Sequence, residues 1–264
     1  MIPHGIHPGV PQSIYRAHPG ISNSDLKYFA RSPMHYQHAK AHPAEPTAAM
    51  IRGTLFHSAI LEPATFGEGK SHYVRPDGMK FTTKEGKAWK EMHEDLPIID
   101  VDEAKAISGA REAIMANTMA RFFLEQPGRA EDSVFALHQP TGLTIKTRPD
   151  WHCEDAENQP WIVDIKTTDD ARRFQWAVRD FGYDRQASMY IDNFERVGVP
   201  GAKFVFLVIE LEPPHGFRMI ELDEADIERA RMAYEADIIR LSECEKTGVW
   251  QGYLDKIEKI TLFK

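Results

Sequence analysis

The most constraining feature of this 264-residue sequence is a carboxylate set inside an apolar run, Trp161-Ile162-Val163-Asp164-Ile165, with Lys166 directly after it. A charge in such a run is costly to bury unless it is paired or holds a metal. Read as a strand, the segment sends Asp164 and Lys166 to one face and Val163 and Ile165 to the other. Upstream stands Thr147-Arg148-Pro149-Asp150, at the distance of a hairpin partner. On that strand Lys146, Arg148 and Asp150 share one parity. Pairing of the two strands would gather Asp150, Asp164 and Lys166 on one polar face.

These residue types suit one chemistry. Magnesium takes hard oxygen ligands, usually one or two carboxylates with waters and a substrate phosphate. Asp150 and Asp164 supply the carboxylates, and the Ile165 carbonyl offers a further oxygen. A lysine beside them either deprotonates the attacking water or stabilises charge on the phosphate, and both roles stay open. The pattern points to metal-assisted hydrolysis.

Around this centre the sequence reads as helices, then strands, then a mixture. Residues 1–20 carry four prolines and three glycines and read as an extended lead-in. Ser22-Asn23-Ser24-Asp25 offers N-caps for a helix that Pro33 ends or restarts. Helical periodicity runs from Thr47 to Leu61, near Lys84–His93, and as one longer helix after Asp102 that Pro127-Gly128 stops. Ser133–His138, Gly142–Cys153 and Trp161–Thr167 read as strands. Helices over Ala171–Phe181 and Tyr183–Val197 follow, then strands Ala202–Glu210 and Gly216–Leu222. A long helix begins at Asp223. The expected class is α/β (α+β), a central mixed sheet flanked by helices with an N-terminal helical part.

Composition excludes several alternatives. No run of 18 apolar residues spans a membrane, and the N-terminus lacks the apolar stretch of a signal peptide, so a cytoplasmic location is expected. Forty acids against 32 bases give a net charge of −8, which argues against a protein that coats nucleic acid but not against one that collects carboxylates around a cation. DNA contact would need a local basic lining, for which Lys146, Arg148, Arg172, Arg173, Arg179 and Arg185 are candidates. Phe174, Trp176 and Phe181 read either as core or as wedges against a DNA end. His38 and His42 have the spacing of a zinc helix but lack the acid of that motif and read as surface. Two cysteines, Cys153 and Cys244, cannot build a four-cysteine cluster, so no iron–sulfur centre is expected.

Four segments in order carry a family resemblance: Gly53-Thr54-Leu55-Phe56-His57, Arg148-Pro149-Asp150-Trp151, Asp164-Ile165-Lys166-Thr167-Thr168 and Gln186-Ala187-Ser188-Met189-Tyr190. Together they resemble the PD-(D/E)XK nuclease superfamily, its RecB-like group, and within it the RecE-type (exodeoxyribonuclease VIII) branch of phages and prophages. The similarity runs from about Ile21 to the Trp250-Gln251-Gly252-Tyr253 segment. It implies a restriction-endonuclease-like core in one nuclease domain, 21–264. That domain would comprise a helical part 21–126, a catalytic sheet core 130–222 and a C-terminal helix 223–264.

The resemblance also implies roles. His57 helps bind a metal, Glu131 serves a metal or the structure, Asp150 and Asp164 carry the metal, and Lys166 is the catalytic lysine. Gln186 and Tyr190, one turn apart on a helix, face the active site and DNA, and Tyr183 can join them. The implied cofactor is Mg2+, with Mn2+ as a substitute. The implied activity is 5′-to-3′ degradation of one strand of linear duplex DNA. That activity belongs to phage-type recombination beside a RecT-type single-strand annealing protein, in a ring-shaped homo-oligomer. A structure-specific endonuclease and a non-catalytic DNA-binding protein on the same fold are the alternatives.

Overall fold

The computed structural model describes residues 2–253 together with Asp255, Ile257 and Lys259. The N-terminal half runs β1 (Gly5–His7), α1 (Gln12–Ala17), α2 (Asn23–Arg31), α3 (Pro33–Ala41), α4 (Ala48–Leu61), β2 (Tyr73–Val74), α5 (Lys84–Met92), β3 (Ile98–Ile99), α6 (Val101–Ala116) and α7 (Thr118–Leu124). The second half runs β4 (Gly128–Ala130), β5 (Ser133–His138), β6 (Leu143–Thr147), β7 (Trp151–Glu154), β8 (Pro160–Thr168), α8 (Phe174–Phe181), α9 (Tyr183–Arg196), β9 (Lys203–Glu210), β10 (Phe217–Ile220) and α10 (Glu224–Thr247).

A five-stranded mixed sheet in the order β10-β9-β8-β7-β4 forms the middle, with β8 and β9 parallel and the other pairs antiparallel. Strands β8 and β9 are apolar on both faces because both are covered. Val163, Ile165, Val205, Leu207 and Ile209 pack on one side against Leu55, Phe56 and Ala59 of α4 and Ile107, Ala110 and Ile114 of α6. Ile162, Phe204, Phe206 and Val208 pack on the other against Phe174 and Val178 of α8 and Ala187, Tyr190 and Phe194 of α9. Outside α9 a third cluster joins Leu26 and Phe29 of α2 to Tyr234, Ile238 and Leu241 of α10. Full burial of each such side chain stabilises the fold by about 1.5–3 kcal/mol. The α/β class expected from the sequence is the one observed.

The stretch that matters most for the site is a hairpin folded over on itself. Ala130 stands opposite Trp151 in the β4–β7 pair, and Val134 opposite Thr147 in the β5–β6 pair. The register is therefore continuous, and Glu131 stands opposite Asp150, to whose carbonyl its N–H donates at 3.1 Å. Yet β5 and β6 belong to a separate three-stranded sheet with β1. The bend falls at Glu131, whose φ is 55°, and at Arg148-Pro149-Asp150. Proline brings no N–H to the ladder, and a left-handed residue turns its side chain out of the strand alternation. The single strand Gly142–Cys153 expected from sequence is thus two strands in two sheets.

Other departures have local causes. The lead-in 1–20 is not simply extended: β1 pairs with β5, and α1 follows. The Lys146 ammonium holds that segment, donating to the carbonyls of Tyr15 (3.0 Å), Arg16 (3.2 Å) and His18 (2.7 Å) at the C-terminal end of α1. The single helix expected after Asp102 breaks at Asn117, whose side chain caps the N–H groups of Met119 and Ala120. A helix does form over Pro33–Ala41 with Ser32 as its cap, and His38 and His42 are exposed on and beside it. The last helix stops at Thr247, where Gly248 takes the left-handed C-cap. Of the expected helix 223–264, residues 254, 256, 258 and 260–264 lie outside the described residues.

Candidate active site

The bend leaves the β7 edge of β8 unpaired beyond Asp164. In the register, Trp151 pairs Val163, so Asp150 stands opposite Asp164 and the strand then departs. Ile165 would be left with an unmatched N–H and C=O, which a buried backbone does not tolerate. Two side chains replace the missing strand. Asp150 Oδ2 accepts the Ile165 N–H at 2.6 Å, and His57 Nε2 meets the Ile165 carbonyl oxygen at 2.8 Å. His57 Nδ1 lies 3.4 Å from Asp150 Oδ1. His57 comes from the flank of α4, whose Leu55, Phe56, Ala59 and Ile60 are buried, and Arg111 of α6 steadies that helix through the Ala59 carbonyl at 2.8 Å.

Glu131 completes the group. One ligand atom from each of His57, Glu131 and Asp150 lies within 4.8 Å of the others. The Glu131 carboxyl is pushed up to about 7 by burial and by the Asp150 charge. Burial would raise Asp150 too, but the His57 and Lys166 charges outweigh it and hold this carboxyl below its usual range. For His57 burial works against the imidazolium, and Asp150 reverses that to a net rise. The site therefore crowds two carboxyls and one imidazole together, and with the imidazole neutral they form a donor set that suits a divalent cation.

Asp164 points away from this group toward α9. Gln186 Nε2 donates to its Oδ1 at 2.5 Å, and the Lys166 ammonium stands 2.5 Å from its Oδ2. The ammonium is the partner of this buried oxygen and offsets its charge. Burial raises the Asp164 carboxyl to about 6 against the opposing pull of Lys166. Burial alone would lower Lys166, but Asp164 and Asp150 raise it overall, so its ammonium stays charged at neutral pH. The Tyr183 ring lies 4.6 Å from that ammonium.

Of the residues singled out from sequence, His57, Glu131, Asp150, Asp164, Lys166, Gln186 and Tyr183 thus gather around the freed end of β8. The Ile165 carbonyl lies there too, engaged by His57 rather than open. Tyr190 hydrogen-bonds the Arg148 carbonyl at 3.3 Å and so braces the bend. Arg148 itself faces inward: its guanidinium binds Ser133 Oγ, Gln12 Oε1 and the Val10 carbonyl, and lies 4.0 Å from Glu131. Strand parity had placed Lys146 and Arg148 beside Asp150 as phosphate contacts. The bend instead sends both toward the N-terminal segment. Arg172 and Arg173 sit in a 3-10 turn after β8, exposed, with Arg172 paired to Asp170 at 2.9 Å; neither joins the carboxylates.

Sequence reasoning missed Asn193. Fully buried on α9, its Nδ2 reaches the Val134 and Ile145 carbonyls (3.4 and 3.3 Å) and Thr147 Oγ1 (3.2 Å). It clamps β5 to β6 just before the bend. An amide one turn beyond Tyr190, on the face that Tyr190 shares with Gln186, was the available signal.

A family model described as a PDDEXK-like domain of unknown function (DUF3799) matches residues 22–262. No curated protein matches the sequence. Among solved structures, a protein from Eubacterium rectale provisionally named an exonuclease superposes with a TM-score of 0.66 at 15% identity, covering 96% of each chain. At that identity the likeness concerns the fold alone. A second structure, SSO0001, aligns over 72% of this chain and 86% of its own at 15% identity, with a TM-score of 0.31.

Proposed function

From the premise that this chain belongs to the PDDEXK-like domain family, within the PD-(D/E)XK nuclease superfamily, we propose that it is a divalent-metal-dependent deoxyribonuclease. Its substrate is the end of linear duplex DNA, of which it degrades one strand from 5′ to 3′. The observation that carries this reading is the convergence of His57, Glu131 and Asp150 at the point where β8 loses its neighbour, with Asp164 and Lys166 beside them.

His57, Glu131 and Asp150 would hold the cation, Mg2+ or in its place Mn2+, with Asp164 adjoining. A bound divalent cation polarises the phosphodiester and lowers the pKa of a ligated water. The chain's own residues do the rest. Lys166, charged at neutral pH, offsets negative charge that builds on the phosphate as water adds and the ester oxygen leaves. Gln186 fixes one oxygen of Asp164, and His57 fixes Asp150 and the Ile165 carbonyl, so the carboxylates cannot turn away.

The biological setting follows the RecE-type resemblance: recombination beside a RecT-type single-strand annealing protein, in a ring-shaped homo-oligomer around DNA. The place of action is the bacterial cytoplasm, where such DNA lies. No helix among the described residues is long and apolar enough to cross a membrane.

The test is digestion of end-labelled linear duplex and covalently closed circular DNA, side by side with Mg2+. Loss of only the linear form, with label released from 5′ ends, is expected. Cutting of the circle would replace the exonuclease with an endonuclease. Cutting of neither, in Mg2+ or Mn2+, would overturn the nuclease reading. Asp164→Ala should abolish cleavage while the fold persists.

A further inference from the structure

Beside Lys166 an aromatic step leads out to the surface; the packing of the core accounts for its inner ring, Tyr183, but not for its outer one, Phe181. Tyr183, the first residue of α9, carries its ring 4.6 Å from the Lys166 ammonium. The ring of Phe181, the last residue of α8, stands 5.6 Å from that of Tyr183. On Phe181 in turn rests Lys27 of α2, its ammonium 4.8 Å from the ring centroid. From the site outward the order is cation, ring, ring, cation.

The local backbone builds this order. Gly182 has a φ of 68° and serves at once as C-cap of α8 and N-cap of α9. A left-handed residue between them lets Phe181 and Tyr183 approach each other across the turn. Tyr183 is anchored inward, 5.7 Å from the Phe174 ring and 5.9 Å from that of Phe206. Phe181 is not: it remains 49% exposed, whereas Phe174 on the same helix is at 1%. Lys27 is exposed and forms no ion pair among the described residues.

An exposed ring backed by a second ring and flanked by a free ammonium is the arrangement by which proteins hold single-stranded nucleic acid. Bases stack on the ring whatever their identity, and the cation meets the phosphate. A protein partner would use apolar area as well, but it would have no reason to run in line with Lys166. We propose that Phe181, backed by Tyr183, is the stacking platform for an unpaired nucleobase of the strand that enters the site, and that the exposed Lys27 side chain, which rests over the ring here, swings off it to meet the phosphate. This rests on the nuclease reading. It adds that a strand end already unpaired, such as an overhang, is held by a ring rather than by base-specific hydrogen bonds.

The experiment uses the full chain and two linear DNA probes: a duplex with a short 5′ single-stranded overhang bearing 2-aminopurine, and a blunt, fully paired duplex. Phe181→Ala and Phe181→Leu should each weaken overhang binding and raise KM by about 5- to 100-fold, with kcat kept within about twofold. They should also abolish the 2-aminopurine quenching that the unaltered chain produces. Phe181→Trp should restore both. Lys27→Ala should lower the salt slope of binding to the overhang by about 0.7. Because Phe181 is half exposed, melting temperatures of the variants should match that of the unaltered chain, which separates lost stacking from lost folding.

If the unaltered chain digests linear duplex and Phe181→Ala quenches and binds as it does, the platform is overturned and the nuclease reading stands. Equal loss of binding to a fully base-paired end would also overturn it, since the ring would then serve duplex docking or a protein partner. Absence of cleavage by the unaltered chain would remove both.

Discussion

Asp150→Asn is the substitution that interrogates the site most directly, because one carboxylate does two separable jobs. Without metal it replaces the missing strand, accepting the Ile165 N–H at 2.6 Å while facing the His57 imidazole. Asparagine keeps the shape and can still accept from Ile165, but the bond is no longer charge-assisted. Such bonds contribute about 1.5–3 kcal/mol against about 0.5–1.5 for neutral ones, and attraction to His57 is lost as well. The expected destabilisation is about 2 kcal/mol. For a chain of this size each kcal/mol moves Tm by about 2–4 °C, so the metal-free variant should melt about 4–8 °C lower. The second job appears on adding Mg2+. At a hundredfold excess over Kd, binding stabilises the unaltered chain by about 2.7 kcal/mol, a rise of about 5–10 °C. The variant should show little rise and no cleavage. Thermal melts with and without Mg2+, beside the DNA digestion, read both effects. A variant that melts lower yet keeps the full Mg2+ rise would refute the ligand role; a variant with unchanged metal-free Tm would refute the strand-replacing role.

Three further outcomes are expected. Glu131, with its carboxyl raised from 4.5 to about 7, binds its proton more tightly folded than unfolded, so metal-free stability should fall as pH rises between those values. A cation must displace that proton, so Mg2+ affinity should rise from pH 6 to 8 with proton release by calorimetry in two buffers; a flat profile would contradict the assignment. Lys146→Met removes three charge-assisted bonds to the end of α1 and should cost about 2–4 kcal/mol, with faster amide exchange in residues 5–18; unchanged exchange would show that the segment is held otherwise. Gly53→Ala should stabilise α4 by about 0.5–1 kcal/mol, because an added Cβ meets nothing within 4 Å. If the room one turn before His57 serves DNA, cleavage should nonetheless fall, and a variant both more stable and equally active would show that it does not.

Much of the site could be read from sequence where residues lie within one regular element. Asp164 and Lys166 share a face of β8, and Gln186 and Tyr190 share a face of α9, because period 2 and period 3.6 hold inside those elements. Parity failed where the chain leaves the period. Counting through 146–150 put Lys146 and Arg148 beside Asp150, but Pro149 bends that strand from one sheet into another, and the two cations turn to the N-terminal segment. The same bend decides between Glu131 and Asp132. Glu131 takes a positive φ and swings toward His57, while Asp132 is buried and meets His152 at 2.8 Å. No local propensity in Ala130-Glu131-Asp132-Ser133 announces that choice, since glutamate is not a residue that favours left-handed backbone. The conformation has to be imposed by the partner strand. There the Asn193 clamp, the Tyr190 hydroxyl and the Arg148 guanidinium hold the bend from three sides. From sequence, Tyr190 and Arg148 are expected to face DNA and Asn193 draws no reading, because the partners that hold the bend lie at least 15 residues away. The metal group is therefore set by the second tier around it, and substitution of Asn193 should disturb Glu131 more than any neighbour of Glu131 in sequence does.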